Sequence, residues 1–147
     1  MSERDNEPCV AAVVDIDNFK FINDIYGHAS GDNALKQLAD DMKASFPDNA
    51  IMGRIGGDEF CILLKNRTAE QAKPLFKEFV SPLRLYTQAD GSRHSFTISL
   101  GFAEYPKCSP DPSELLGRAD IALYEVKQRG KHGCLEFDPE HLQKKRT

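Results

Sequence analysis

No apolar run in this chain of 147 residues approaches the roughly 20 residues needed to cross a bilayer. The segment therefore gives no reason to expect membrane contact. Its opening, MSERDNEPC, is charged and lacks an apolar core, so it does not read as a secretory signal. Cysteine is sparse. Cys9, Cys61, Cys108 and Cys134 are scattered and form no C-x-x-C pair, which argues against a zinc site. Free thiols in a reducing, cytoplasmic compartment are the expectation. Positive charge is not in excess either: 19 Lys and Arg against 23 Asp and Glu leave a formal net charge of −4. That balance excludes a strongly basic protein that coats nucleic acid. It leaves room for a small anionic ligand, because a few placed cations neutralise one phosphate group locally. Internal repeats and low-complexity tracts are absent.

What remains is the composition of one globular domain, 40% hydrophobic and 29% charged. Val10 to Ile16 is a short apolar, β-branched run and predicts a buried strand. Asp17 is placed to cap a short helix in which Phe19, Ile22 and Tyr26 share a face and Gly27 ends the run. A second helix is expected from Gly31-Asp32, with Leu35, Leu38, Ala39, Met42 and Phe46 as its apolar stripe and Pro47 as its stop. Ile51 to Ile55 and Phe60 to Leu64 read as a hairpin around Gly56-Gly57-Asp58-Glu59, the second strand central. The spacing predicts a helix over residues 69–86, disturbed by Pro74 and Pro82, a turn at Asp90-Gly91 and one strand from Ser95 to Tyr105. After a loop from Pro106 to Pro112, Ser113 opens a last helix bearing Leu115, Ala119, Ala122, Leu123 and Val126, capped by Gly130. Leu135 to Phe137 completes the set. The order β-α-α-β-β-α-β-α-β predicts an α/β (α+β) domain with helices around a mostly antiparallel sheet.

Asp15 ends the first strand, where α/β domains tend to place ligands. Asp58 and Glu59 sit in the glycine bend. With the first strand beside the hairpin, Asp15 and Asp58 approach each other, and two close carboxylates repel unless a cation separates them. Mg²⁺ suits such a pair, and the carbonyl of Ile16 offers a further oxygen. Each residue singly has a plainer reading, Asp17 as a cap and Asp58-Glu59 as a polar turn. It is the combination with Gly56-Gly57, which permit close backbone approach, that favours a metal.

These residues carry a resemblance. Arg54-Ile55-Gly56-Gly57-Asp58-Glu59-Phe60 resembles the signature of the GGDEF family of diguanylate cyclases. Ahead of it stand Asp15-Ile16-Asp17-Asn18-Phe19-Lys20, Asn23-Asp24, Gly27-His28 and Gly31-Asp32. Behind it, Arg118-Ala119-Asp120, Ala122-Leu123-Tyr124, Lys127 and Gly130-Lys131 resemble the family's last helix. The likeness implies a ferredoxin-like, nucleotidyl-cyclase palm fold. It implies an enzyme that joins two GTP molecules into cyclic di-GMP with release of pyrophosphate. Asp15, the Ile16 carbonyl and Asp58 would hold two Mg²⁺ ions, with Mn²⁺ as another admissible ion. Asp58 or Glu59 would take the proton from the attacking 3′-hydroxyl, a choice left open. Asn23 and Asp32 would read guanine. Lys20, Lys127, Lys131 and the backbone of Asn18 and Phe19 would contact the triphosphate, and His28 would lie near the nucleotide.

Departures from the family pattern add expectations. Pro47-Asp48-Asn49-Ala50 stands where many members carry an inhibitory R-x-x-D, so product inhibition through that site is not expected. The usual leading helix and D-x-L-T turn are missing, which points to a fragment of a longer protein with a sensor domain. Phe137-Asp138-Pro139-Glu140 resembles the linker into an EAL phosphodiesterase domain. The division expected is a polar segment 1–9, the domain 10–138 and a linker 139–147. Because one site binds one GTP and the reaction needs two, a homodimer is required for catalysis. The competing expectation is a non-catalytic GTP-binding module that regulates an attached phosphodiesterase.

Overall fold

The computed structural model describes residues 7–88, 90–106 and 114–139. Its scaffold is a five-stranded sheet in the order β2-β3-β1-β6-β7. β1 (Cys9–Ile16) lies in the middle, antiparallel to β3 (Glu59–Lys65) on one side and to β6 (Ile98–Tyr105) on the other. β2 (Ile51–Gly56) flanks β3, and β7 (Cys134–Glu136) runs parallel to β6. A middle strand covered on both faces needs apolar side chains at every position, which explains the unbroken run VAAVV.

The strand's alternation sorts those side chains into two cores. Val10, Ala12, Val14 and Ile16 pack with α1 (Phe19–Tyr26), α2 (His28–Ser45) and α3 (Ala69–Val80). Ala11 and Val13 pack on the opposite face against α4 (Leu115–Gln128). The result is three layers, with α4 the one helix on its side among the described residues. Gly101 sets that spacing. A Cβ there would overlap the backbone nitrogen of Leu123 and the carbonyl of Ala119, and would lie 2.8 Å from the Ala122 carbonyl carbon. The helix thus rests backbone to backbone on β6.

Several sequence expectations are corrected here. The helix expected over 69–86 ends at Val80. It starts on a capping box between Thr68 and Gln71, tolerates Pro74, and stops before Pro82. Its supposed last turn is a strand, β4 (Arg84–Thr87), paired with β5 (Arg93–Phe96) in a separate two-stranded sheet. Arg84 is buried there because its Nη2 donates to the Phe79 carbonyl at 2.6 Å and its Nε to Asp41 at 2.9 Å. Tyr86 shares a 2.7 Å hydrogen bond with the buried Ser30 hydroxyl of α2. The single strand expected from Ser95 to Tyr105 is likewise two, broken at Thr97 where the chain passes from the small sheet to the large one. α2 begins at His28, directly after Gly27, whose φ of 94° both ends α1 and opens α2. β7 falls one residue earlier than expected.

Cys9, Cys61 and Cys134 are free thiols. Among the described residues no helix is long and apolar enough to cross a membrane. Cys108, the loop beyond Pro106, Ser113, residues 1–6 and the linker beyond Pro139 lie outside the described residues.

Candidate active site

The β1–β3 register places Asp15 directly opposite Glu59, with Asp58 in the turn just before it. The end of the first strand and the glycine bend are therefore neighbours. Arg54 fastens the bend: its Nε donates to the Gly57 carbonyl at 3.0 Å. Asp15 belongs to the α4 side of the sheet, and there Lys127 forms an ion pair with its Oδ2. Its Oδ1 is buried and has no hydrogen-bond partner among the described residues.

Charge in this corner is unbalanced. Asp15, 2% exposed, has its carboxyl pushed up to about 6, chiefly by burial. Lys127 opposes that rise, and the charges of Asp58 and Asp17 add to it. Burial also raises Glu59, helped by Asp120 and Asp58 and resisted by Lys127. Burial alone would lower Lys127, but Asp15, Asp58 and Glu59 outweigh it and hold the ammonium above its ordinary range. At neutral pH one ammonium thus faces several carboxylates. A hard divalent cation fits this donor set: a buried, unpartnered carboxylate oxygen with a second carboxylate nearby. Among the described residues no three His, Cys, Asp or Glu side chains form a cage, so substrate or water oxygens would complete the coordination. Ile16, the last residue of β1, pairs with Ile98 of β6 but has no partner on β3.

A second group forms at the start of α1. Asn18, not Asp17, occupies the cap position, in the left-handed region with φ 60°. Asp17 turns inward instead and is 5% exposed. Lys131 reaches back from beyond α4, and its Nζ donates to Asn18 Oδ1 at 2.7 Å. Phe19 opens α1 beside this contact.

A third group lies between α1 and α2. The Asn23 carboxamide packs over Gly31, where a Cβ would meet its Oδ1 and lie 3.0 Å from its Cγ. Only glycine admits that approach. Next in the chain, Asp32 lines a cleft of about 420 Å³ with Leu35, Lys36, Ala39, Arg54 and Phe60. Arg54 thus lines the cleft and also bonds the glycine bend.

The structure gathers Asp15, Asp58, Glu59 and Lys127 in one corner and Asn18 and Lys131 in another, and it sets Asn23 over Gly31, while Asp32 lines a cleft with residues of α2, β2 and β3. It does not bring Lys20 to either lysine: that side chain is 88% exposed and pairs with Asp24 at 3.3 Å. His28 is an exposed first residue of α2. Sequence reasoning assigned no role to Arg54, Lys36 or Asp120. Arg54 had a signal, a lone guanidinium two residues before the paired glycines. Asp120 stood in the block that resembles the family's last helix, but its influence on Glu59 depends on how α4 crosses the sheet.

A three-layer domain with this strand order, and with an acid-bearing Gly-Gly bend against the end of its central strand, defines a class. Residues 1–133 match the family model described as "Diguanylate cyclase, GGDEF domain", and the chain belongs to the GGDEF family. Among its relatives is the diguanylate cyclase TpbB of Pseudomonas aeruginosa, 34% identical over 95% of this chain and 33% of that protein. Another is the bifunctional diguanylate cyclase/cyclic di-GMP phosphodiesterase MucR of the same species, 34% identical over 92% of this chain and 20% of that protein. The solved GGDEF domain of TpbB superposes with a TM-score of 0.91 at 28% identity, covering 96% of this chain and 83% of that one. The active GGEEF domain of a Vibrio cholerae diguanylate cyclase gives 0.79 at 30% identity, covering 90% and 84%. The chain spans only 16–34% of the length of the curated relatives it matches.

Proposed function

We propose that this domain is a Mg²⁺-dependent diguanylate cyclase that condenses two GTP molecules into cyclic di-GMP and pyrophosphate. The observation that carries the reading is the buried, unpartnered Asp15 Oδ1 set against the Asp58-Glu59 bend in a member of the GGDEF family. Asp15, Asp58 and the Ile16 carbonyl would hold two Mg²⁺ ions. Bound there, the metal supplies charge neutralisation on the phosphate oxygens and a lower pKa for the attacking 3′-hydroxyl.

The chain's own groups do the rest. Asn23 and Asp32 hold the guanine: a carboxylate accepts from N1–H and the exocyclic amine, and an amide serves the remaining edge. Lys131 and the backbone N–H groups of Asn18 and Phe19 orient the triphosphate at the start of α1. Lys127, now paired with Asp15, would be free to contact the phosphates once a cation neutralises that carboxylate. Glu59, its affinity for protons raised by burial, is suited to receive the hydroxyl proton, a task Asp58 shares by position. Two copies facing each other across a two-fold axis bring each hydroxyl in line with the partner's α-phosphate.

A second reading, a GTP-binding module that governs an attached EAL phosphodiesterase, draws on relatives. MucR is named as bifunctional, and PdeR of Escherichia coli, 28% identical, as a cyclic di-GMP phosphodiesterase. The test is chromatography of products after incubation with GTP and Mg²⁺, the domain being fused to a dimerising coiled coil. Cyclic product that disappears in Asp58→Ala supports the cyclase. Bound GTP with no cyclic product, even in the fusion, supports the module. ATP bound as tightly as GTP overturns the guanine-reading pair.

A further inference from the structure

Asp17 is a buried carboxylate to which the reading above gives no task. Both its oxygens are engaged. Oδ1 accepts from the Ser99 hydroxyl at 2.6 Å, and Oδ2 from the Thr97 hydroxyl at 2.7 Å and the His132 backbone N–H at 3.0 Å. The same N–H also donates to Ser99 Oγ at 3.0 Å. One side chain therefore ties together the end of β1, the start of β6 and the loop that follows α4.

That loop has an unusual backbone. Lys131 and His132 are consecutive non-glycine residues in the left-handed region, with φ of 68° and 52°. Such a pair persists only where surrounding bonds impose it. Here the backbone of His132 is held by Asp17 and Ser99, and its ring by a 3.1 Å hydrogen bond from Nε2 to the Ser81 carbonyl. The held conformation aims Lys131 at Asn18, the residue that follows Asp17.

From this arrangement we infer that Asp17 is a positioning residue for nucleotide binding: it fixes the Lys131–His132 strap over the start of α1 and so builds the phosphate cradle. The inference rests on the GTP reading above and deepens it. Asp17 is expected to act through Lys131 and to touch no ligand itself. Asp17→Asn keeps the size of the side chain but replaces one accepting oxygen with a donor, so it cannot satisfy both hydroxyls and the amide as the carboxylate does.

The experiment is a binding cycle on the whole chain, read by calorimetry with GTP and with guanosine, for wild type, Asp17→Asn, Lys131→Ala and the double variant. Circular dichroism establishes that each is folded. The expected result is a loss of about tenfold in GTP affinity for Asp17→Asn, an unchanged affinity for guanosine, and little further loss in the double variant. Equal losses for GTP and guanosine, or additive losses in the double variant, overturn the inference. Should wild type take no GTP, the functional reading fails separately. Hydrogen exchange of the His132 amide then still decides the strap: it must quicken in Asp17→Asn, and an unchanged rate overturns the positioning role.

Discussion

Asn in place of Asp15 is expected to make the metal-free domain more stable, and only above mildly acidic pH. The Asp15 carboxyl titrates near 6 in the folded chain, against 3.8 for the ordinary group. Between those values the folded state keeps a proton that the unfolded chain has already lost. Stability therefore declines as pH rises across that window and is level beyond it. The gap is roughly two pH units at about 1.4 kcal/mol each, so ionising this buried group costs about 3 kcal/mol even with Lys127 beside it. Asp15→Asn is a permanently uncharged replacement. In EDTA at pH 7.5 it should gain about 2–3 kcal/mol, a shift of roughly 1–2 M in the urea midpoint. At pH 4 the two proteins should unfold together. Millimolar Mg²⁺ should then stabilise wild type and leave the variant unmoved. Urea unfolding followed by circular dichroism reads all of this. A variant that is less stable at pH 7.5, or equally more stable at both pH values, refutes the reasoning.

Three glycine substitutions probe the frame around the site. Gly101→Ala drives a methyl group into the backbone of α4, where no side chain can yield, and should cost about 3 kcal/mol or more in thermal or urea unfolding. Gly133→Ala, whose Cβ would find its nearest neighbour at 3.8 Å, should stay within about 1 kcal/mol of wild type. Gly31→Ala displaces the Asn23 carboxamide, a mobile side chain, so calorimetry should show about a tenfold loss in GTP affinity while stability changes by less than about 1 kcal/mol. An unaltered affinity would count against Asn23 as a base contact.

How far these features were legible depends on how local their causes are. The opening strand, the glycine hairpin and the apolar stripe of α2 follow from residues close together in sequence, and the structure has all three. That Asp15 meets the bend required one assumption about strand pairing, which the β1–β3 register satisfies. The β4–β5 hairpin was illegible because Arg84 reads as a solvent residue. Its burial depends on Asp41, 43 residues earlier, and on the Phe79 carbonyl. Asp17 was misread as a cap for a similar reason. Its true partners, Thr97, Ser99 and His132, lie 80 to 115 residues downstream. The polar residues interrupting SFTISLGF were the trace of that tie, visible only once the strand had neighbours.

The place of β1 in the sheet also bears on how the molecule is made. Its first strand is its middle strand, and its partners are residues 59–65 and 98–105. During synthesis the sticky segment VAAVV must wait, unpaired along one border, until Ile98–Tyr105 has left the ribosome. Joining distant pieces in this way slows folding. Through that interval the nascent chain carries an open β edge of the kind that recruits other strands, so its yield in the cell should depend on chaperones that shield short apolar stretches.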